Sequence, residues 1–207
     1  KNQLKNSFKI IVSSNTIKNE FVENFKISKK EKNILKVLNF TSSIIHFNSS
    51  KEIKSTLKNI VKNYSLENGY FFCPNQFWPH KNHVKLIRAF SEVLKIKDFS
   101  DFKLVLTGSK FFNKNNSFYF DNAIKLINDL DIQKNVIHLK ELNFIQIQAL
   151  YTGCLALINP SLYEGWSTTI EEARAYKIKI LVSDIKVNRE QNCIKAKYFD
   201  PNSVNSI

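Results

Sequence analysis

From residue 69 onward the chain alternates short apolar runs with amphipathic stretches, and this alternation constrains the fold more than any other feature. Apolar runs stand at 69–73, 102–106, 136–139, 154–158 and 178–182. A strand with one wet face alternates apolar and polar residues, whereas a short, nearly continuous apolar run suits a strand covered on both faces. Between the runs the period changes. Leu86, Ala89, Phe90, Val93 and Leu94 form one stripe of a helix predicted over 82–96. Ala123, Ile124, Ile127 and Leu130 do the same over 118–130, and Asn143 can cap a helix bearing Ile145, Ile147, Leu150 and Tyr151. A last short strand is predicted at 197–199. Strand and helix in strict alternation predict an α/β fold: a Rossmann-like, doubly wound, mostly parallel sheet with helices on both faces.

The chain before residue 69 reads differently. A strand is predicted at 8–12, then a helix over 16–29 with Ile17, Phe21 and Phe25 on one face, then a strand at 34–40. Residues 41–51 are rich in Ser and Asn, and a polar helical stretch runs to about residue 64. This is the least core-like part and the natural linker. The division expected is 1–50 as the end of one unit plus linker, and 51–207 as the main domain.

Ligands of a doubly wound sheet bind beyond the carboxyl ends of its strands. Three loops belong there: 75–81, Thr107-Gly108, and 159–169. The third is the most informative. Pro160 and Gly165 break regular structure, Ser167, Thr168 or Thr169 can cap a helix, and Glu171 and Glu172 fall in its first turns. A helix N-terminus offers free N–H groups and the positive end of the dipole, a seat for phosphate. Glu164 and Glu172 flank that seat. Carboxylates repel phosphate but accept hydrogen bonds from sugar hydroxyls, so the pairing suggests a nucleotide-sugar. No G-x-G-x-x-G comes after the first strand of the domain, which argues against an ordinary NAD site.

The formal charge of +13 does not by itself indicate nucleic acid. Lys, Asn and Ile are abundant throughout, and arginine occurs only at Arg88, Arg174 and Arg189. Bidentate phosphate and base readers favour arginine. The reading is compositional bias, no nucleic-acid partner, and at most attraction to an anionic membrane surface. Cys73, Cys154 and Cys193 lack C-x-x-C spacing and read as small core residues. His46, His83 and His138 have no metal spacing, and no Asp-x-Asp occurs. No apolar run approaches the ~20 residues of a membrane span, and no signal peptide is visible. The chain begins at Lys1 and contains no Met, so its true start is expected to lie elsewhere.

Three stretches resemble the carboxyl-terminal half of a GT-B glycosyltransferase of group 1, the retaining family 4. Ser161-Leu-Tyr-Glu-Gly-Trp-Ser-Thr-Thr-Ile-Glu-Glu-Ala173 is similar to the family's PSLYEGFG…EA signature. Pro74-Asn-Gln-Phe-Trp-Pro-His-Lys-Asn82 is similar to the loop after the first donor-domain strand. The segment 181–190, with Tyr198-Phe-Asp-Pro201, is similar to the family's stretch on the carboxyl side of the signature. Residues 1–50 resemble the end of the amino-terminal acceptor domain.

The resemblance implies roles. Lys81 meets the diphosphate and, with Glu164 near the transferred sugar, makes the catalytic pair. Glu172 holds the ribose hydroxyls, with Glu171 as the competing register. Gly108 and Gln76 complete the donor site, Gln76 standing where many members carry Arg. Gly165 and the backbone of Trp166, Ser167, Thr168 and Thr169 form the phosphate cradle. Ser167 replaces a glycine and Thr169 a proline, adding hydroxyl donors. Trp166 reads equally well as a core anchor, and His80 as a polar loop residue. The implied chemistry is transfer of a sugar, with retention, from a nucleoside diphosphate sugar to a hydroxyl of a glycan or lipid-linked acceptor held by the amino-terminal domain. No cofactor or metal is expected. The implied location is the cytoplasm, at the inner face of the membrane if peripheral. Two alternatives stand: a Rossmann-like module that binds nucleotide or nucleic acid without catalysis, and a nucleotide-sugar epimerase.

Overall fold

The computed structural model describes residues 6–42, 49–109, 117–191 and 195–207. His46, Cys193 and most of the Ser/Asn-rich linker segment lie outside the described residues, as does most of the loop after Gly108.

The first strand, β1 (Ile10–Val12), pairs in parallel with β2 (Leu35–Val37). Between them run α1 (Asn15–Phe25) and the short α2 (Lys29–Lys32). Ser14 caps α1, its Oγ accepting from the Ile17 N–H at 3.1 Å. Helix α3 (Ser50–Tyr64) leads into the main domain. There the elements run in the order β3 (Tyr70–Cys73), α4 (His83–Leu94), β4 (Lys103–Thr107), α5 (Ser117–Asp129), β5 (Val136–Leu139), α6 (Phe144–Gly153), β6 (Ala156–Asn159), α7 (Thr168–Ala175), β7 (Ile180–Ser183), α8 (Lys186–Glu190) and β8 (Ala196–Phe199).

The six strands β3–β8 make one sheet in the order β5-β4-β3-β6-β7-β8, every pairing parallel. The apolar runs are continuous because each strand feeds two cores. Phe72, Val105, Leu157, Ile180 and Val182 face one layer with Tyr70, Leu150 and Ile170. Their neighbours Cys73, Leu104, Leu106, Ile158 and Leu181 face the other, with Leu86, Phe90 and Ile127. Successive strand residues point to opposite faces, so a run with no polar member is what a double-sided core requires.

Helix α3 corrects one expectation. Polar in overall composition, it nevertheless presents Ile53, Leu57, Ile60 and Val61 to the core, with Ile60 buried. It packs along α6. Its start is fixed by a capping box in which Ser49 Oγ accepts from the Glu52 N–H and Glu52 accepts from the Ser49 N–H. The stretch read as the least core-like therefore forms a layer packed on the main domain.

The strand order reverses between β3 and β6, which lie side by side in the sheet with β4 and β5 on one flank and β7 and β8 on the other. The loops after β3 and β6 thus open next to each other at the topological switch point, where this class of sheet binds ligands.

Candidate functional site

Loop 74–82 leaves β3 and tightens into a single turn, Pro79–Lys81, before α4. Asn82 closes the turn with a left-handed φ of 60°, a conformation Asn tolerates better than most residues. Its side-chain amide donates to the carbonyls of Pro160 (3.1 Å) and Pro201 (2.8 Å). The Leu162 N–H donates to the His80 carbonyl at 2.7 Å. These bonds fasten the β3 loop to the β6 loop and bring Lys81 to Glu164.

Lys81 Nζ donates to Glu164 Oε1 at 2.6 Å, with the two side chains only 13% and 8% exposed. The expected catalytic pair is a partly buried ion pair. Next to it, burial pushes the His80 imidazole below its ordinary range; the Lys81 charge adds to this and Glu164 opposes it.

The second acidic pair divides cleanly. Glu171 is buried and engaged with structure: Arg174 Nη1 lies 3.1 Å from its Oε1, and Gln191 Nε2 donates to the same oxygen at 3.0 Å. Glu172 turns the other way. Its Oε2 accepts a short hydrogen bond from the Tyr151 hydroxyl. It lines an open cavity of about 480 Å³ together with Gln76, Gly108, Ser109, Lys140 and Leu142. Burial raises the Glu172 carboxyl above the usual carboxylate range, and the Tyr151 bond offsets only part of that. Of the two carboxylates, Glu172 is the one that lines the cavity.

Gly108 shapes the cavity floor. Its φ is +113°, and a Cβ there would stand 2.6 Å from the Asn75 carbonyl oxygen, so both conformation and space demand glycine. His138 Nε2 donates to the Gly108 carbonyl at 2.8 Å. Gln76 Oε1 accepts from the Ser109 N–H at 3.0 Å, leaving its amide N–H groups as the donors it offers the cavity.

The cradle differs from expectation in its hydroxyls. Ser167 and Thr169 are buried, and both turn inward to Asn159, whose Nδ2 donates to Ser167 Oγ (2.8 Å) and Thr169 Oγ1 (3.3 Å). Their oxygens also lie 3.0 Å apart, so one hydroxyl donates to the other, and both are directed to Asn159 rather than to solvent. The Ser167 N–H is also engaged, by Gln191 Oε1 at 3.1 Å. What remains at the helix start is backbone: the N–H groups of Thr168, Thr169 and Ile170 precede the first helical bond, from Glu171 N to Ser167 O. Thr168 is exposed. Gly165 adopts no left-handed conformation; its carbonyl accepts from Ser13 Oγ at 2.9 Å. The Trp166 side chain is half-buried, and its indole N–H donates to the Phe40 carbonyl at 3.0 Å.

Tyr151, Asn159 and Gln191 are the site's supports that sequence reasoning missed. Asn159 alone carried a signal, as a polar residue ending a fully buried strand. Among the described residues no group of three or more His, Cys, Asp or Glu side chains lies placed to hold a metal ion, and no helix is long and apolar enough to cross a membrane.

A parallel sheet with a switch-point crevice, a helix N-terminus, a lysine–glutamate pair and a second carboxylate over a cavity together define an α/β domain with a candidate ligand site at the ends of β3 and β6. Residues 58–207 match the family "Glycosyl transferases group 1", and the chain belongs to it. The chain is 29% identical over 137 residues to the O-antigen chain mannosyltransferase RfbU of Salmonella typhimurium, covering 66% of this chain and 36% of that protein. The fold superposes on a glycosyltransferase from Rickettsia africae with a TM-score of 0.76 at 20% identity, covering 96% of this chain and 50% of that one. It superposes on Anabaena Alr3699/HepE, solved in complex with UDP and glucose, with a TM-score of 0.82 at 15% identity, covering 99% and 52%. The chain thus spans about a third of the curated relative and half of each solved structure.

Proposed function

We propose that this chain is the donor half of a retaining glycosyltransferase that moves a sugar from a nucleoside diphosphate sugar to an acceptor hydroxyl. The observation that carries the reading is the division of labour between Glu171 and Glu172. One carboxylate is committed to structure, while its neighbour is held by Tyr151 at the wall of a cavity of nucleoside size. A carboxylate so placed accepts from ribose hydroxyls. In this reading Lys81 and the α7 N-terminus, on the adjoining loops after β3 and β6, receive the diphosphate.

As the bond from the sugar C1 to the diphosphate oxygen breaks, negative charge grows on the leaving group. Lys81 and the backbone dipole then neutralise it without a metal. The acceptor oxygen bonds to C1 from the face the diphosphate leaves, and its proton passes to the departing phosphate oxygen. Glu164 shares Lys81 and orients the sugar without forming a covalent bond. A second cavity of about 320 Å³, between Glu20 of α1 and Glu164, Asp184 and Lys186, adjoins Glu164 and supports a place there for the acceptor. A glycan or lipid-linked acceptor, met in the cytoplasm at the membrane surface, fits the basic chain.

Calorimetry with UDP, GDP and ADP tests the reading. One diphosphate is expected to bind selectively. Loss of a charge-assisted bond, worth ~1.5–3 kcal/mol, should weaken it about 10- to 100-fold in Glu172→Ala and in Lys81→Ala. No binding of any nucleotide, with tight and salt-sensitive binding of a random oligonucleotide, would establish the non-catalytic module instead.

A further inference from the structure

The loop that carries Glu164 is held from two sides, and only one of them is the donor domain. Its ends belong to that domain: Leu162 N–H to the His80 carbonyl at 2.7 Å, and Ser167 N–H to Gln191 Oε1 at 3.1 Å. Its crest does not. Tyr163 OH donates to Glu20 Oε2 at 3.0 Å, Ser13 Oγ donates to the Gly165 carbonyl at 2.9 Å, and Trp166 Nε1 donates to the Phe40 carbonyl at 3.0 Å. The residues on both sides of Glu164 are therefore tied to the segment 13–40, which lies outside the six-stranded sheet.

That segment is itself clamped. Glu190, the last residue of α8, accepts four hydrogen bonds at the start of α1: from the Asn15 N–H (2.6 Å), Asn15 Nδ2 (3.0 Å), Thr16 N–H (2.7 Å) and Thr16 Oγ1 (2.7 Å). An anion at a helix N-terminus satisfies its free donors and its dipole together. The next residue, Gln191, holds Ser167 through both its N–H and its carbonyl, each at 3.1 Å. Adjacent side chains thus grip the start of α1 and the start of α7, the two ends of a frame around Glu164. Gly165 records the closeness of the fit. Its backbone is unstrained, yet a Cβ would stand 3.1 Å from Ser13 Oγ. This glycine is small because another segment rests on it.

We infer that Ser13 and Glu190 are positioning residues for transfer: through the segment 13–40 they hold the Glu164 loop in register with Lys81, so that sugar transfer depends on a contact that nucleotide binding does not use. The inference rests on the proposed transferase reading. The groups that meet the nucleoside, Glu172, Gln76 and Gly108, are bonded to Tyr151, Ser109 and His138, all outside the segment 13–40. Lys81, which meets the diphosphate and pairs with Glu164, is carried by the β3 loop, whose own bonds run to Pro160, Leu162 and Pro201 rather than to that segment. Loss of the contact should therefore separate affinity from turnover.

The test uses the full-length protein, with UDP-glucose and GDP-mannose as donor probes and water as acceptor, reading release of the nucleoside diphosphate. Nucleoside diphosphate affinity is measured in parallel by calorimetry. Ser13→Ala and Glu190→Gln should keep the dissociation constant within about twofold while kcat falls about 10- to 100-fold, the scale at which small misplacements of reacting groups act. Ser13→Thr, which keeps the hydroxyl, should recover most of the rate. Gly165→Ala should be slow on its own and cost little more in the Ser13→Ala background, because both remove the same contact. Unchanged kcat in Ser13→Ala and Glu190→Gln, equal losses of affinity and kcat, or additive effects of Ser13→Ala and Gly165→Ala would each overturn the inference. If the unaltered protein binds neither nucleotide and hydrolyses neither donor, the transferase reading itself fails and takes this inference with it.

Discussion

Lys81→Met separates the structural from the chemical work of the ion pair. Lys81 and Glu164 meet at 2.6 Å with 13% and 8% of their side chains exposed, so water does little to screen either charge. Met keeps the length of the lysine stem and removes the ammonium. The Glu164 carboxylate then remains in the same crevice with no cation. Breaking a buried pair in this way typically costs ~3–5 kcal/mol, more than the intact pair contributes, because the surviving charge is uncompensated. The residual exposure of both side chains puts the expected value at the low end, about 3 kcal/mol. For a chain of this length that lowers Tm by roughly 6–12 °C. Adding Glu164→Gln removes the orphaned charge, so the double variant should recover about 2 kcal/mol of the loss while staying inactive. Thermal melts and urea titrations of the wild type, both singles and the double measure this directly. A Lys81→Met melt within about 1 °C of wild type, where ~6 °C or more is expected, would refute the reasoning. So would a double variant less stable than the single, since the attraction would then not be what holds the two loops together.

Gly108→Ala should destabilise by about 2–4 kcal/mol, because it combines a left-handed φ of +113° with a Cβ placed 2.6 Å from the Asn75 carbonyl. Displacement of Asn75 carries Gln76 with it, so nucleotide affinity should fall as well; an unchanged melt would show that the loop yields freely. His83 sets an acid limb of stability. Burial, helped by the charges of Lys81 and His138 and opposed by the Asn75 carbonyl, pushes its imidazole down to about 3. Its unfolded value is ~6.5, so the unfolded chain takes up the proton first. Stability from this group is full above pH ~6.5 and falls by up to ~1.4 kcal/mol per unit as pH drops towards the folded value. Denaturant titrations across that range should show the slope, and His83→Phe, which can keep the stack on Phe77 (ring centroids 4.2 Å apart in the native protein), should flatten it.

What could be read from the sequence was what a single segment determines by itself. Apolar runs such as 69–73 and 154–158 announce strands buried on both faces, because any polar residue in them would face a core. The β6 loop is legible for the same reason: Pro160 and the run of Ser and Thr act on their own backbone, whereas Gly165 answers to Ser13 of another segment. Side-chain direction was not legible. Ser167 and Thr169 could point outward to a ligand or inward to a partner, and the choice is made by Asn159, whose amide needs acceptors once the strand end is buried. Glu171 and Glu172 are indistinguishable by composition; Gln191 and Tyr151, from other elements, claim one each. The packing of helix α3 was not legible because its apolar residues are few; they fall on one stripe, and α6 offers them a surface.

The interlocking of residues 13–40 with the β6 loop bears on how such proteins can be recombined. A natural cut for exchanging donor domains between relatives is the Ser- and Asn-rich stretch before α3, where the two folded parts separate along the chain. A chimera joined there would set a foreign Glu190 and Gly165 against the native Ser13, Asn15, Thr16 and Phe40, mixing two halves of one hydrogen-bonded joint. Placing the crossover upstream of β1, so that residues 10–40 travel with the donor domain, keeps the joint whole and moves the seam to a surface this joint does not use.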